Sequence, residues 1–228
     1  INQLSSIEEL LHWDREVLMP VGGAHTRAEQ LAMLNVLTHQ ALTNPVLRDL
    51  FDQATEAKHH LSEWQRANLR EMKHRWRHAN ALPSNLVERF SHAASRCIFH
   101  WRECKSSNDF AALLPCFGQL VEVLRDVASV KSDYLNLSPY DALLDSYDPG
   151  SNQSQIDLLF DQLLTALRPI VDKVVIKQQH WNTILPVTEP IMPADQKKLA
   201  SAVMKAIGLD AKFSRLDVSH HPFTAGVS

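Results

Sequence analysis

The chain has 228 residues, of which 45% are hydrophobic and 21% charged, and a formal net charge of −3. This suits one large helical domain or two small ones, and it gives no global reason to expect nucleic acid or an anionic membrane as partner. No apolar run approaches bilayer length, and the opening residues INQLSSIEEL carry no basic, signal-like segment.

Only 6 glycines and few β-branched runs favour helix over sheet. Ser5 or Ser6 with Glu8 or Glu9 makes a capping box, predicting a helix to about Met19, where Pro20 and Gly22-Gly23 end it. A second helix is expected over 26–42, with Leu31, Leu34 and Leu37 on one stripe. Asn44-Pro45 opens a third, to about His59, with Leu47, Leu50, Phe51 and Ala54 inward. Together the first two helices are expected to form a hairpin in which Trp13 and Leu10 can pack against Leu31 and Leu34, and Asp14 or Glu16 can pair with Arg27.

Ser62 and Gln65 repeat the capping-box pattern ahead of a basic helix that ends near Asn80. Pro83-Ser84 opens the next, through Phe90, Cys97 and Trp101. After Asn108-Asp109 a helix reaches about Tyr134, kinked or restarted at Pro115. A short helix begins at Ser138-Pro139 and stops at the turn Asp148-Pro149-Gly150. Residues 154–181 read as two helical pieces joined or kinked at Pro169, and 183–193 as an ordered loop with Pro186, Pro190 and Pro193. The last helix, 194–207, is closed by Gly208. Beyond it the loosely alternating stretch 213–223 is expected to be extended chain or a strand.

Three cysteines, Cys97, Cys104 and Cys116, are an odd number in no zinc-like spacing, which favours a reducing, cytoplasmic setting. None of the 12 histidines is followed by glutamate, so the HExxH motif of helical zinc peptidases is absent from these residues. His74 and His78 stand i, i+4 on the basic helix, a spacing that can hold a metal edge. No third ligand or base is evident, however, and Lys73, Arg75 and Arg77 would repel a cation. The same helix carries Arg66, Arg70, Trp64 and Trp76, a possible nucleic-acid patch. A solvated, charge-rich outer face is the commoner explanation for both features.

Four landmarks in order resemble one family. The opening LLHWDREVLMPVGGAHTRAEQLAML (10–34), the helix entry Asn108-Asp109-Phe110 with Pro115, SPYDALLDSYDPG (138–150) and RLDVSHHPF (215–223) resemble carboxypeptidase Taq metallocarboxypeptidases. The last segment is similar to that family's His-Pro-Phe motif, carried here by His221, Pro222 and Phe223, with His220 where a small residue is expected.

The resemblance implies an all-α fold: the multi-helix lid and wall of a zincin-like metallopeptidase over residues 1–210. Residues 211–228 would then be the start of the catalytic body, with a short extended or β segment. It implies a cytoplasmic, homodimeric, zinc-dependent enzyme that removes single C-terminal residues from peptides by attack of a metal-activated water. His221 and Phe223 are the candidate substrate-binding residues, although a structural histidine locking a Pro-Phe corner explains His221 equally well. The family's Asp-x-Arg-x-Thr, HExxH, later glutamate ligand and C-terminal motifs do not occur here, so no catalytic residue and no zinc ligand is assigned and the chain alone is expected to be inactive. Helices built to pack on such a body are expected to expose apolar surface and to self-associate. The alternative reading is a non-enzymatic helical protein-interaction module derived from the same family.

Overall fold

A computed structural model describes residues 1–179 and 188–226. Among these residues the regular elements are nine α-helices and two 3-10 turns, with no strand. They divide into two compact units, Ile1–Gln153 with Ser219–Ser228, and Ser154–Val218.

In the first unit α1 (Asn2–Val17) leads through the 3-10 turn Val21–Gly23 into α2 (Ala24–Leu42). The expected capping box at Ser5 or Ser6 does not form. The helix starts at Asn2, Ser5 N–H already donates to Ile1 O at 2.9 Å, and both serines therefore lie inside the helix rather than at its end. The hairpin pairing is resolved in favour of Asp14, whose Oδ2 lies 2.6 Å from Arg27 Nη2, while Arg27 Nη1 donates to Leu11 O at 2.8 Å. Leu31 and Leu34 are buried, but Leu10 and Leu37 face solvent. α3 (Val46–Glu56) ends earlier than expected and passes into the 3-10 turn Lys58–His60. Of its predicted inward residues Phe51 is buried, with its ring 5.6 Å edge-on from Trp76, and Leu50 is exposed.

The capping box at Ser62 is present in full. Gln65 N–H donates to Ser62 Oγ, and Ser62 N–H donates back to Gln65 Oε1, opening α4 (Glu63–Asn80). α5 (Ser84–Ser107) is the spine of the unit, packed against α2 and against α6 (Phe110–Leu135). The buried residues of these helices include Leu31 of α2, Leu86 and Ala93 of α5, and Val127 and Ala128 of α6. A smaller cluster of Cys97, Cys104 and Leu113 is covered by Trp101, Cys116 and Leu120. Asn108 at φ 55° and Asn136 at φ 57° close α5 and α6 in the left-handed conformation that asparagine tolerates. Pro115 lies inside α6 without ending it. Near the helix start its missing N–H leaves only one carbonyl without its partner. α7 (Pro139–Leu144) is capped by Ser138 Oγ, which accepts from Asp141 N–H at 3.1 Å.

The second unit holds α8 (Gln153–Gln178) and α9 (Pro193–Ala206), neither with a buried residue. α8 runs on through Pro169 as one helix rather than as two pieces, and it exposes Leu158, Leu164, Leu167, Val171 and Ile176. Gly208, at φ 85°, follows α9 as expected. Of the loop expected over 183–193, residues 183–187 lie outside the described residues. From residue 214 to 226 the tail carries neither helix nor strand, so its extended reading is not accompanied by sheet pairing among the described residues.

Candidate functional site

Two places gather chemistry-bearing side chains in the first unit. The first is a cavity of about 550 Å³ bounded by α1, α5 and the tail, and both His221 and Phe223 line it. Glu9, His12, Arg15, Glu16 and Trp101 contribute the rest of its polar and aromatic wall. The tail is tied down by Lys105, whose Nζ donates to His220 O at 2.9 Å while lying 4.9 Å over the Trp101 ring. The His221 ring meets Trp101 edge-on at 5.9 Å, and Ser219 Oγ donates to His221 O at 2.7 Å. His221 Nδ1 lies 2.8 Å from Pro222 O, so it carries the proton and Nε2 is the ring nitrogen left to meet a ligand.

One wall of this cavity is an ion network. Glu16 Oε1 receives Arg15 Nε at 3.0 Å and Arg102 Nη2 at 2.6 Å, and Arg102 Nη1 donates to Arg15 O at 3.2 Å. Burial pulls the Arg15 guanidinium below its ordinary value, and Glu16 opposes that shift. Two guanidinium groups on one carboxylate fix this wall, while Glu9 adds a second carboxylate to the cavity lining, so the charges there are mixed.

The second place is on α4. His74 and His78 are joined by Asp145, the residue that follows α7. Asp145 Oδ2 lies 2.9 Å from His74 Nε2 and 2.7 Å from His78 Nε2, and Asp145 Oδ1 accepts from Gly150 N–H at 2.8 Å. Gly150, at φ 87°, makes the turn that brings this amide back. His78 Nδ1 is 3.2 Å from Ser146 Oγ, which accepts from Lys131 Nζ at 2.8 Å. Burial lowers the His78 pKa, with Asp145 opposing and Lys131 and His74 adding to the shift. For Asp145 burial acts upward, but the Gly150 amide and the two imidazoles outweigh it and bring the carboxyl to about 2.

The sequence offered the histidine pair without a third candidate ligand, and the fold brings Asp145 beside it. Asp145 went unnoticed in that role because its only signal was a place in the 138–150 segment, far from α4. The three residues present ligand atoms within 4.8 Å of one another and are the one such group found among the described residues. The aromatic residues proposed to interleave the basic patch divide: Trp64 is 81% exposed, whereas Trp76 is packed on Phe51.

The sequence pattern that describes the carboxypeptidase Taq (M32) metallopeptidases matches residues 1–228. "Thermostable carboxypeptidase 1" of Pyrococcus furiosus is 29% identical over 232 residues, covering 95% of this chain and 43% of that protein. The Thermus thermophilus protein of the same name is 27% identical, covering 98% and 46%. Among solved structures, Trypanosoma cruzi metallocarboxypeptidase 1 superposes with a TM-score of 0.79 at 31% identity, covering 99% of this chain and 45% of that one. The chain thus spans a little under half the length of the relatives it matches.

Proposed function

The chain belongs to the carboxypeptidase Taq (M32) metallopeptidase family, and on that premise we propose that it supplies the helical lid and wall of a zinc-dependent carboxypeptidase that removes single residues from peptide C-termini. The observation that carries this reading is the extent of the match, which runs over all 228 residues. In such an enzyme zinc supplies an activated water for attack on the scissile carbonyl.

The residues of this chain do not fit that catalytic zinc. No histidine is followed by glutamate, and in the His74, His78 and Asp145 group the residue after the first histidine is Arg75. The chain's own contribution is therefore binding. His221 Nε2 and the Phe223 ring contact peptide in the cavity beside Trp101, and the Arg15, Glu16 and Arg102 network holds that wall rigid. Residues 1–210 form lid and wall, and residues 211–228 lead into the catalytic body. The reading includes a cytoplasmic location, supported by three free thiols. It also includes a homodimer, supported by the apolar residues that α8 exposes.

The test uses the native protein that contains these residues, purified with an antibody raised against the chain. It is expected to release single C-terminal residues in sequence from an N-blocked peptide and to stop when a chelator is added. Release that persists when the peptide C-terminus is amidated, or no release at all with zinc restored, overturns the reading.

A further inference from the structure

We propose that His74, His78 and Asp145 form a binding site for a divalent transition-metal ion of the zinc type, with two imidazole nitrogens and one carboxylate oxygen as ligands. The argument starts from helix geometry. Residues four apart lie on one face of a helix, so α4 alone aims two imidazoles at one region, and their ring centroids are 4.4 Å apart. Both Nε2 atoms then converge on a single oxygen, Asp145 Oδ2, at 2.9 and 2.7 Å.

A tetrahedral zinc with bonds of about 2.0–2.2 Å separates its ligand atoms by roughly 3.3 Å. Each Nε2 therefore needs to move from Asp145 Oδ2 by only about half an ångström to admit the ion, and all three ligand atoms already lie within 4.8 Å of one another. Side-chain exposures of 19%, 10% and 17% leave them shielded but reachable, since His74 and Asp145 line an open cavity of about 820 Å³. That opening provides the position for a water or an anion as fourth ligand.

The surrounding contacts are those that orient metal ligands. The second carboxylate oxygen is held by the Gly150 amide, so Oδ2 is the one presented. Coordination through Nε2 puts the proton of a neutral imidazole on Nδ1, and for His78 the acceptor is already there in Ser146 Oγ at 3.2 Å. Lys131 donates to the same hydroxyl and fixes it. Lys73 keeps its charge and lines the same cavity, but its Nζ donates to Thr55 Oγ1 at 2.9 Å and is not bonded to any of the three ligand atoms. Arg66, Arg70 and Arg77 line the cavity and favour an anionic fourth ligand over a bare ion.

The test is a titration of the chelator-stripped 228-residue chain with zinc by calorimetry and with cobalt by visible absorption. One equivalent is expected to bind, to give the visible bands of four-coordinate cobalt, and to raise the melting temperature. His74→Gln and His78→Gln should each weaken binding by more than about tenfold, and Ser146→Ala by about tenfold through loss of the Nδ1 partner. The zinc-free melting temperature of each variant reports whether it has folded, and Ser146→Ala, which removes no ligand, guards against a ligand variant that has not. Absence of one-equivalent binding, or binding unchanged in a folded His74→Gln, His78→Gln double variant, overturns the proposal.

Discussion

His78 Nε2 and Asp145 Oδ2 lie 2.7 Å apart although 67 positions separate the two residues. The contact couples the last turn of α4 to the residue that follows α7, and one carboxylate there satisfies two imidazoles and a backbone amide. Asp145→Ala in metal-free protein leaves those donors unpaired in a shielded place. Urea denaturation is expected to show a loss of about 1–3 kcal/mol. No loss would mean that the three groups find water as readily as they find Asp145.

Core and surface leucines of one helix should part company. Leu31, 2% exposed, and Leu37, 44% exposed, both lie on α2, where the sequence assigned them to a single buried stripe. Leu31→Ala should cost about 2–5 kcal/mol of stability, and Leu37→Ala no more than about 0.5 kcal/mol. Similar losses for the two would restore the stripe as first read.

What the sequence disclosed about the fold was mostly local. Ser62 with Gln65, Asn108 with Asp109 and Ser138 with Pro139 each mark a helix boundary through contacts within three or four residues, and each boundary is where it was expected. Ser5 and Ser6 carry the same local signal, yet helix propagates past them to Asn2, so a cap needs a chain that stops being helical as well as a hydroxyl. Leu10, Leu37 and Leu50 fit an apolar period but face solvent, because period alone does not say how wide the buried stripe is. Of the candidate residues, His221 and Phe223 were singled out through resemblance, and both line one cavity. Asp145 was not, since only the turn at Gly150 and the packing of α6 on α7 carry it to α4.

His39 gives a pH dependence with a defined sign. It is 7% exposed, and burial lowers its pKa below the ordinary 6.5, with a backbone hydrogen bond at Leu82 opposing. The unfolded chain therefore binds the proton more readily than the folded one. The associated stability is complete above pH 6.5 and falls as the pH drops below that value toward the folded pKa. Denaturation midpoints measured between pH 7 and pH 5 should fall less in His39→Leu than in the parent chain. An equal fall in both would place the acid sensitivity elsewhere.

α8 presents apolar side chains on several sides, among them Leu158 at 61% and Leu164 at 65% exposure. Light scattering at rising concentration should show association of the chain, weakened in the double variant Leu158→Lys, Leu164→Lys. A parent chain that stays a monodisperse monomer at the highest concentration would remove the support that α8 lends to a homodimer.

The account rests on these residues being the lid and wall of a carboxypeptidase whose zinc helix is encoded with them. The direct measurement is the sequence of the native transcript across and beyond the codon for Ser228. An open frame that continues through Asp-x-Arg-x-Thr to HExxH is the predicted result. A stop codon immediately after Ser228 would contradict the account, because no residue within the 228 can take the place of that helix.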